Sequence, residues 1–183
     1  MNNLVFLLEE PSARDLLEQV VPKLVSPDTS VHFLVFEGKQ DLERNVKRKT
    51  QGWLLPRSRF VILRDQDAAQ CTAVKERLAD HVPPDRRGLT LVRIACRELE
   101  SWIIGDWGAL AKAYDQQKLV ANSERASYRD PDLLVRPVEE IRKFIPEYQK
   151  RDGARRTGAL LDPSTNRSKS FKVFCAGVSR LQW

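Results

Sequence analysis

Apolar positions along the chain switch repeatedly between continuous short runs and helical spacing. Leu4–Leu8 is an unbroken apolar run and predicts a first, buried strand. From Ser12 to Leu24 the apolar residues Leu16, Leu17, Val20, Val21 and Leu24 fall at helical spacing. Pro11 suits the start of that helix, and Pro22 ends or kinks it. Val31–Phe36 predicts a second strand, Asp41–Thr50 a polar, basic helix or turn, and Arg59–Leu63 a third strand. An amphipathic helix over Ala68–His81 is closed by Pro83-Pro84. Leu89–Ile94 predicts a fourth strand, and Cys96–Tyr114 a helix with a strongly apolar face, in which Trp102 and Trp107 read as core aromatics. Strands alternating with helices imply parallel pairing through right-handed crossovers. Residues 1–115 are therefore expected to form an α/β core.

The pattern changes after that point, so residues 116–183 read as an extension packed on the core. Residues 120–150 carry Pro131, Pro137 and Pro146, with one helix expected over Val138–Phe144. Residues 150–169 are polar, basic and turn-rich and read as a loop or a partly disordered segment. Phe171–Leu181 is amphipathic and is expected to fold back as a terminal helix.

Composition adds limits. At 42% hydrophobic and 31% charged residues, 183 positions suit one soluble domain with a real core. No apolar run approaches the roughly 18 residues of a membrane span, and nothing at the N-terminus resembles an export signal, so a cytoplasmic location is expected. Cys71, Cys96 and Cys175 are scattered, and His32 and His81 are the only histidines, which argues against a zinc site or a disulfide framework. The formal charge is +6, and the excess is uneven. One basic group gathers Lys47, Arg48, Lys49, Arg57, Arg59 and Arg64; the other gathers Lys150, Arg151, Arg155, Arg156, Arg167, Lys169 and Lys172. A polyanion such as nucleic acid fits this distribution, as does ordinary solvated surface.

Candidate chemistry concentrates at strand ends. The third strand runs into Arg64-Asp65-Gln66-Asp67. Residues two apart on a strand share a face, so Asp65 and Asp67 are expected to converge. Like charges held together call for a cation, and carboxylate oxygens suit a hard divalent ion. The alternative is structural: Asp67 caps the following helix and Asp65 pairs with an arginine. The first strand ends in Glu9-Glu10-Pro11-Ser12. A parallel sheet puts Glu9 at the same edge, where ligands of open α/β sheets gather. Arg97-Glu98-Leu99-Glu100-Ser101-Trp102 follows the fourth strand at that edge, and helix geometry allows Glu98 or Glu100 to face the site, with Glu98 preferred. Acidic residues in a first helical turn are also favoured by the macrodipole alone. No P-loop, Gly-x-Gly-x-x-Gly or Gly-x-Ser-x-Gly motif is present.

The order strand–Glu, two crossovers, strand–Asp-x-Asp resembles the Toprim domain shared by topoisomerases, primases and the overcoming-lysogenization-defect nucleases. Leu-Leu-Glu-Glu-Pro-Ser (7–12), Leu-Arg-Asp-Gln-Asp (63–67) and Arg-Ile-Ala-Cys-Arg-Glu-Leu-Glu-Ser-Trp (93–102) further resemble a group of small stand-alone bacterial Toprim-like proteins. The resemblance spans about residues 1–105. It implies a Toprim-like parallel sheet flanked by helices, with Glu9, Asp65 and Asp67 coordinating magnesium or manganese. It also implies an AAA-type ATPase as a partner. Glu10 departs from the family's glycine after the first Glu, and Phe36-Glu37-Gly38-Lys39 offers a rival Glu-Gly motif after the second strand.

The activity expected from this is metal-dependent phosphodiester hydrolysis of nucleic acid in a bacterial defence or toxin-like system. Glu9, Glu98 and Glu100 are the candidate acid–base groups, and Lys75 or Arg64 the candidate for neutralising phosphate charge. Arg64, Arg155, Arg156, Arg167 and Lys169 are the candidate nucleic-acid contacts. The alternatives are a non-catalytic partner subunit and a plain basic nucleic-acid-binding domain.

Overall fold

The apolar runs pair as four parallel strands: β1 (Asn2–Leu8), β2 (Thr29–Val35), β3 (Ser58–Asp65) and β4 (Thr90–Ala95). Their order across the sheet is β2-β1-β3-β4. The computed structural model describes residues 1–181. Register sets Leu8 beside Val35 on one side and Leu63 on the other, and Asp65 beside Ala95. The order reverses at the β1/β3 boundary. The chain leaves β1 in one direction to reach β2, then crosses over β1 to reach β3. Such a switch point leaves a crevice at the C-terminal ends of its two strands.

Helices cover both faces of the sheet, as the α/β reading requires. On one face, Val5, Leu7, Phe60 and Ile62 pack with α2 (Lys39–Gln51) and α3 (Cys71–Asp80), through Leu42, Val46, Val74 and Leu78. On the other face, Leu4, Phe6, Leu8, Val61 and Leu63 enter a larger cluster. It is covered by α1 (Pro11–Val20), α4 (Glu100–Ile104), α5 (Trp107–Ala113), α6 (Pro137–Arg142), α7 (Lys150–Gly158) and α8 (Lys169–Ser179). Trp102 lies at the middle of that layer, with ring centroids 5.2 Å from Phe171 and 5.0 Å from Phe174. Its indole Nε1 donates to Ser170 Oγ at 2.8 Å, so the terminal helix is tied to the core by a polar contact as well as by apolar burial. Trp102 and Trp107 are both buried. Among the described residues, no helix is long and apolar enough to cross a membrane.

Two elements differ from expectation. The helix read over Cys96–Tyr114 is two short helices. Arg97 takes a positive φ of 62°, which delays the start to Glu100, and the Gly105-Asp106 turn divides the remainder. Asp106 then caps α5, its Oδ1 accepting from Ala109 N at 2.9 Å.

The second difference is α7, in the segment read as a loop. Its inner face has no large apolar residues. Gly153, Ala154, Thr157 and Gly158 make a flat stripe instead, and all four are buried. A Cβ on Gly158 would stand 3.0 Å from the Leu16 carbonyl oxygen and from Gln19 Cβ, so the backbone of α7 lies close against α1. Arg151 Nε bonds Asp15 Oδ2 of α1 at 2.6 Å, and Lys23 Nζ donates to the Ala159 carbonyl at 2.5 Å. The contact is close because the residues are small. This also explains why hydrophobic periodicity misses the helix.

Gly153 meets the buried ring of Tyr148: a Cβ there would come within 2.1 Å of its Cε2. Replacing Gly153 with Ala gains helix propensity but forces that ring to move. The expected net loss is about 1–3 kcal/mol, read by urea denaturation. Equal or greater stability would mean that the Tyr148 pocket is slack.

Candidate functional site

Side-chain alternation sorts the charged residues at the C-terminal edge into two groups. On β1, Val5 and Leu7 face α2 and α3, and Glu9 continues that parity. Leu4, Phe6 and Leu8 face the other layer, and Glu10 continues theirs. On β3, Phe60, Ile62 and Arg64 share the α2–α3 face, while Val61, Leu63 and Asp65 share the opposite one.

The first group centres on Arg64, whose side chain is only 3% exposed. Its guanidinium lies 2.7 Å from Glu43 Oε1, 3.5 Å from Asp67 Oδ2 and 3.6 Å from Glu9 Oε2. Lys39 Nζ also reaches Asp67 Oδ2, at 3.0 Å, and Arg77 Nε reaches Glu43 Oε1, at 3.4 Å. Glu9 is fixed a second time, because its Oε2 accepts the Asp65 N–H at 3.2 Å. Burial raises the Glu9 pKa against the opposing pull of that bond and of Arg64, with Asp67 and Glu10 adding to the rise.

The second group lies on the α1–α4–α7 face and contains Glu10, Asp65, Glu100 and Lys150. Glu100 is buried, and neither carboxylate oxygen has a hydrogen-bond partner. Lys150 Nζ stands 3.7 Å from Glu100 Oε2 and 3.7 Å from Glu10 Oε1. Glu10 also accepts a hydrogen bond from Ser12 Oγ. Burial pushes Glu100 up to about 7, against Lys150 and with help from Glu10. Burial raises Asp65 well above the usual carboxylate range, and Glu10, Glu100 and Glu9 push the same way. Burial works against the charge on Lys150, but Glu100, Glu10, Asp65 and Glu98 outweigh it, so its pKa is raised. Tyr148 packs beneath with a buried hydroxyl that has no hydrogen-bond partner. The three carboxylates of this group thus share a single nearby cation, Lys150.

The residues singled out in the sequence fall in different places. Glu9 and Asp65 meet at the switch point. Asp67 does not join Asp65 in one cluster. The strand ends at Asp65, and Asp67 takes a positive φ of 58°, which turns its carboxylate to Arg64 and Lys39. Of the two glutamates after β4, Glu100 enters the site. Glu98 Oε2 instead accepts the Val138 N–H at 3.4 Å, at the start of α6. Lys75 lines a separate groove of about 470 Å³ beside the open edge of β4, with Cys71, Arg97 and Val173. Arg64 is buried within its ion pairs. Arg156 pairs with Asp152 at 2.7 Å, Arg167 reaches Ser123 and Glu124, and Lys169 pairs with Asp130 at 2.9 Å. Arg155 stays exposed on α7. Glu37 is exposed, and the rival Glu-Gly motif touches the first group through the Gly38 N–H, which donates to the Glu9 carbonyl at 3.1 Å, and through Lys39. Among the described residues, no three His, Cys, Asp or Glu side chains stand in a ready-made metal-holding arrangement.

Sequence reasoning placed Lys150 only in a basic group suited to a polyanion, missed Glu43 and Tyr148, and read Glu10 only as a departure. The period-two pattern of β1 carried a signal for Glu10, since consecutive residues at a strand end face opposite ways. Lys150 had no such signal, because its helix was not legible.

Glu100 gives a pH test. Its folded pKa, about 7, lies above the ordinary 4.5, so between these values the folded chain holds a proton that the unfolded chain releases. Stability contributed below pH 4.5 is therefore lost as pH rises toward 7, by up to ~3 kcal/mol. Glu100→Gln is expected to flatten this fall, measured by urea denaturation at pH 5 and pH 8 in EDTA. An unchanged slope would place the titration elsewhere.

No curated protein and no solved structure matches the chain. A family model does match, across residues 8–179, and that span takes in both charged groups and the helices α1 to α8. The chain belongs to the family described as Domain of unknown function (DUF4276).

Proposed function

We propose that this chain is a Toprim-like, divalent-metal-dependent phosphodiesterase acting on nucleic acid, with its site at the β1/β3 switch point. The observation that carries the reading is the cluster of Glu10, Asp65 and Glu100. Three oxygen-donor side chains, from the ends of β1 and β3 and the start of α4, share the one nearby cation Lys150, and Glu9 adjoins them through the Asp65 N–H. A buried glutamate with two unbonded oxygens is costly unless a cation meets it. Oxygen-only donors fit magnesium or manganese and not a soft metal.

Asp65, Glu10 and Glu100 would hold the ion, with Glu9 alongside. When bound, such an ion supplies charge that polarises a phosphate and acidifies water. The chain's own groups do the rest. Ser12 orients Glu10, and the Asp65 N–H and Arg64 fix Glu9. Glu9, its pKa raised by burial and its second oxygen free, takes the proton from attacking water. Tyr148 keeps water from beneath Glu100. Lys150, rather than Lys75 or Arg64, is the cation beside these carboxylates in the metal-free chain. Arg155, exposed on the same helix, extends the positive surface toward a polyanion.

A second reading has one observation behind it. Asp67 and Glu9 are already paired with Arg64 and Lys39, which would suit a non-catalytic partner subunit, for example of an ATPase.

The two readings part on a single experiment. Manganese-dependent cleavage of single- and double-stranded DNA and RNA is measured for wild type, Asp65→Asn and Lys75→Ala. Asp65→Asn is expected to lose at least about a hundred-fold of the rate, and Lys75→Ala to stay within about two-fold. Full activity in folded Asp65→Asn would end the phosphodiesterase reading at this site. No cleavage of any substrate by wild type would favour the partner subunit.

A further inference from the structure

Lys150 is the first residue of α7, where the positive end of the helix disfavours a cation. Its neighbour Arg151 spends its charge on Asp15. Lys150 instead turns to the carboxylates, against both burial and the helix dipole. At 3.7 Å from Glu10 and 3.7 Å from Glu100 it lies beyond hydrogen-bond range of either. It balances their charge without bonding their oxygens. The Glu100 side chain is 1% exposed and has no other partner, while that of Lys150 is 35% exposed. The acid is therefore confined, and the ammonium has a path to solvent along a flexible stem.

We propose that Lys150 is a tethered counter-ion, held among Glu10, Asp65 and Glu100 in the metal-free chain, which a divalent cation displaces into solvent. This rests on the metal site proposed above. Two positive charges then replace one among the same three carboxylates, and direct oxygen ligation replaces contacts too long to be bonds. The N-terminus of α7 thereby reports whether the site is loaded. Binding of the ion is opposed by the ammonium it must expel, so the lysine sets a threshold for metal occupancy.

Two measurements on the full chain at pH 8 test this. The first is the rate of Lys150 acetylation by an N-hydroxysuccinimide ester, followed by mass spectrometry in EDTA and in saturating manganese. Lys150 is expected to react at least about five-fold faster with manganese present, while lysines remote from the site are unchanged. The second is manganese titration by calorimetry of wild type and Lys150→Met. The variant is expected to bind about ten-fold more tightly. The acetylation experiment needs no variant and stands even where Lys150→Met misfolds. Manganese binding by wild type without a rise in Lys150 reactivity, or no tighter binding by folded Lys150→Met, overturns the counter-ion while leaving the metal site standing. No manganese uptake by either protein overturns both.

Discussion

Alternation along β1 and β3 is the constraint on which the charged architecture depends. Two strands that are buried on both faces have no freedom to roll, because each face is filled by apolar side chains packed under helices. The first polar residues beyond the apolar runs inherit that fixed orientation. Glu9 and Arg64 are delivered to one side of the sheet, Glu10 and Asp65 to the other, and the backbone N–H of Asp65 ties the two together through Glu9. The result is a neutralised network under α2 and α3, back to back with an acidic cluster under α4 and α7. Each is set by the packing beneath it, without a dedicated loop.

The same logic shows where the sequence was legible. Four strands and the helices between them follow from period, and Glu9 and Asp65 follow from their position at strand ends. Legibility failed where local backbone conformation overrode period. Asp67 was grouped with Asp65 as though the strand continued, but one residue in the left-handed region sends its carboxylate to the opposite network. A helix beginning at Cys96 would favour Glu98 over Glu100. A left-handed Arg97 moves that start by several residues and exchanges the two glutamates. Aspartate is among the side chains that enter this region more readily than most, whereas nothing in the identity of Arg97 announces a positive φ.

The failure at α7 has a different cause. Hydrophobic periodicity detects helices that bury large side chains, whereas α7 buries its own backbone against α1 through glycine, alanine and threonine. Low propensity and a polar outer face both read as loop. Asp152 and Arg156, four apart and paired, were the one helical sign within the segment. The small residues that hid the helix also bring it close enough for Lys150 to reach the acids.

That reach has a consequence in time. Glu10 and Lys150 are separated by 140 positions, and Glu100 by 50 from the same lysine. During synthesis the sheet and its carboxylates are complete long before α7 emerges. Until then Glu10, Asp65 and Glu100 lack the Lys150 ammonium, and Glu100 lacks the Tyr148 ring packed beneath it. The site is thus a late product of chain assembly, finished only when the C-terminal third docks on α1. A nascent chain carries the acids of the cluster without the geometry that confines them.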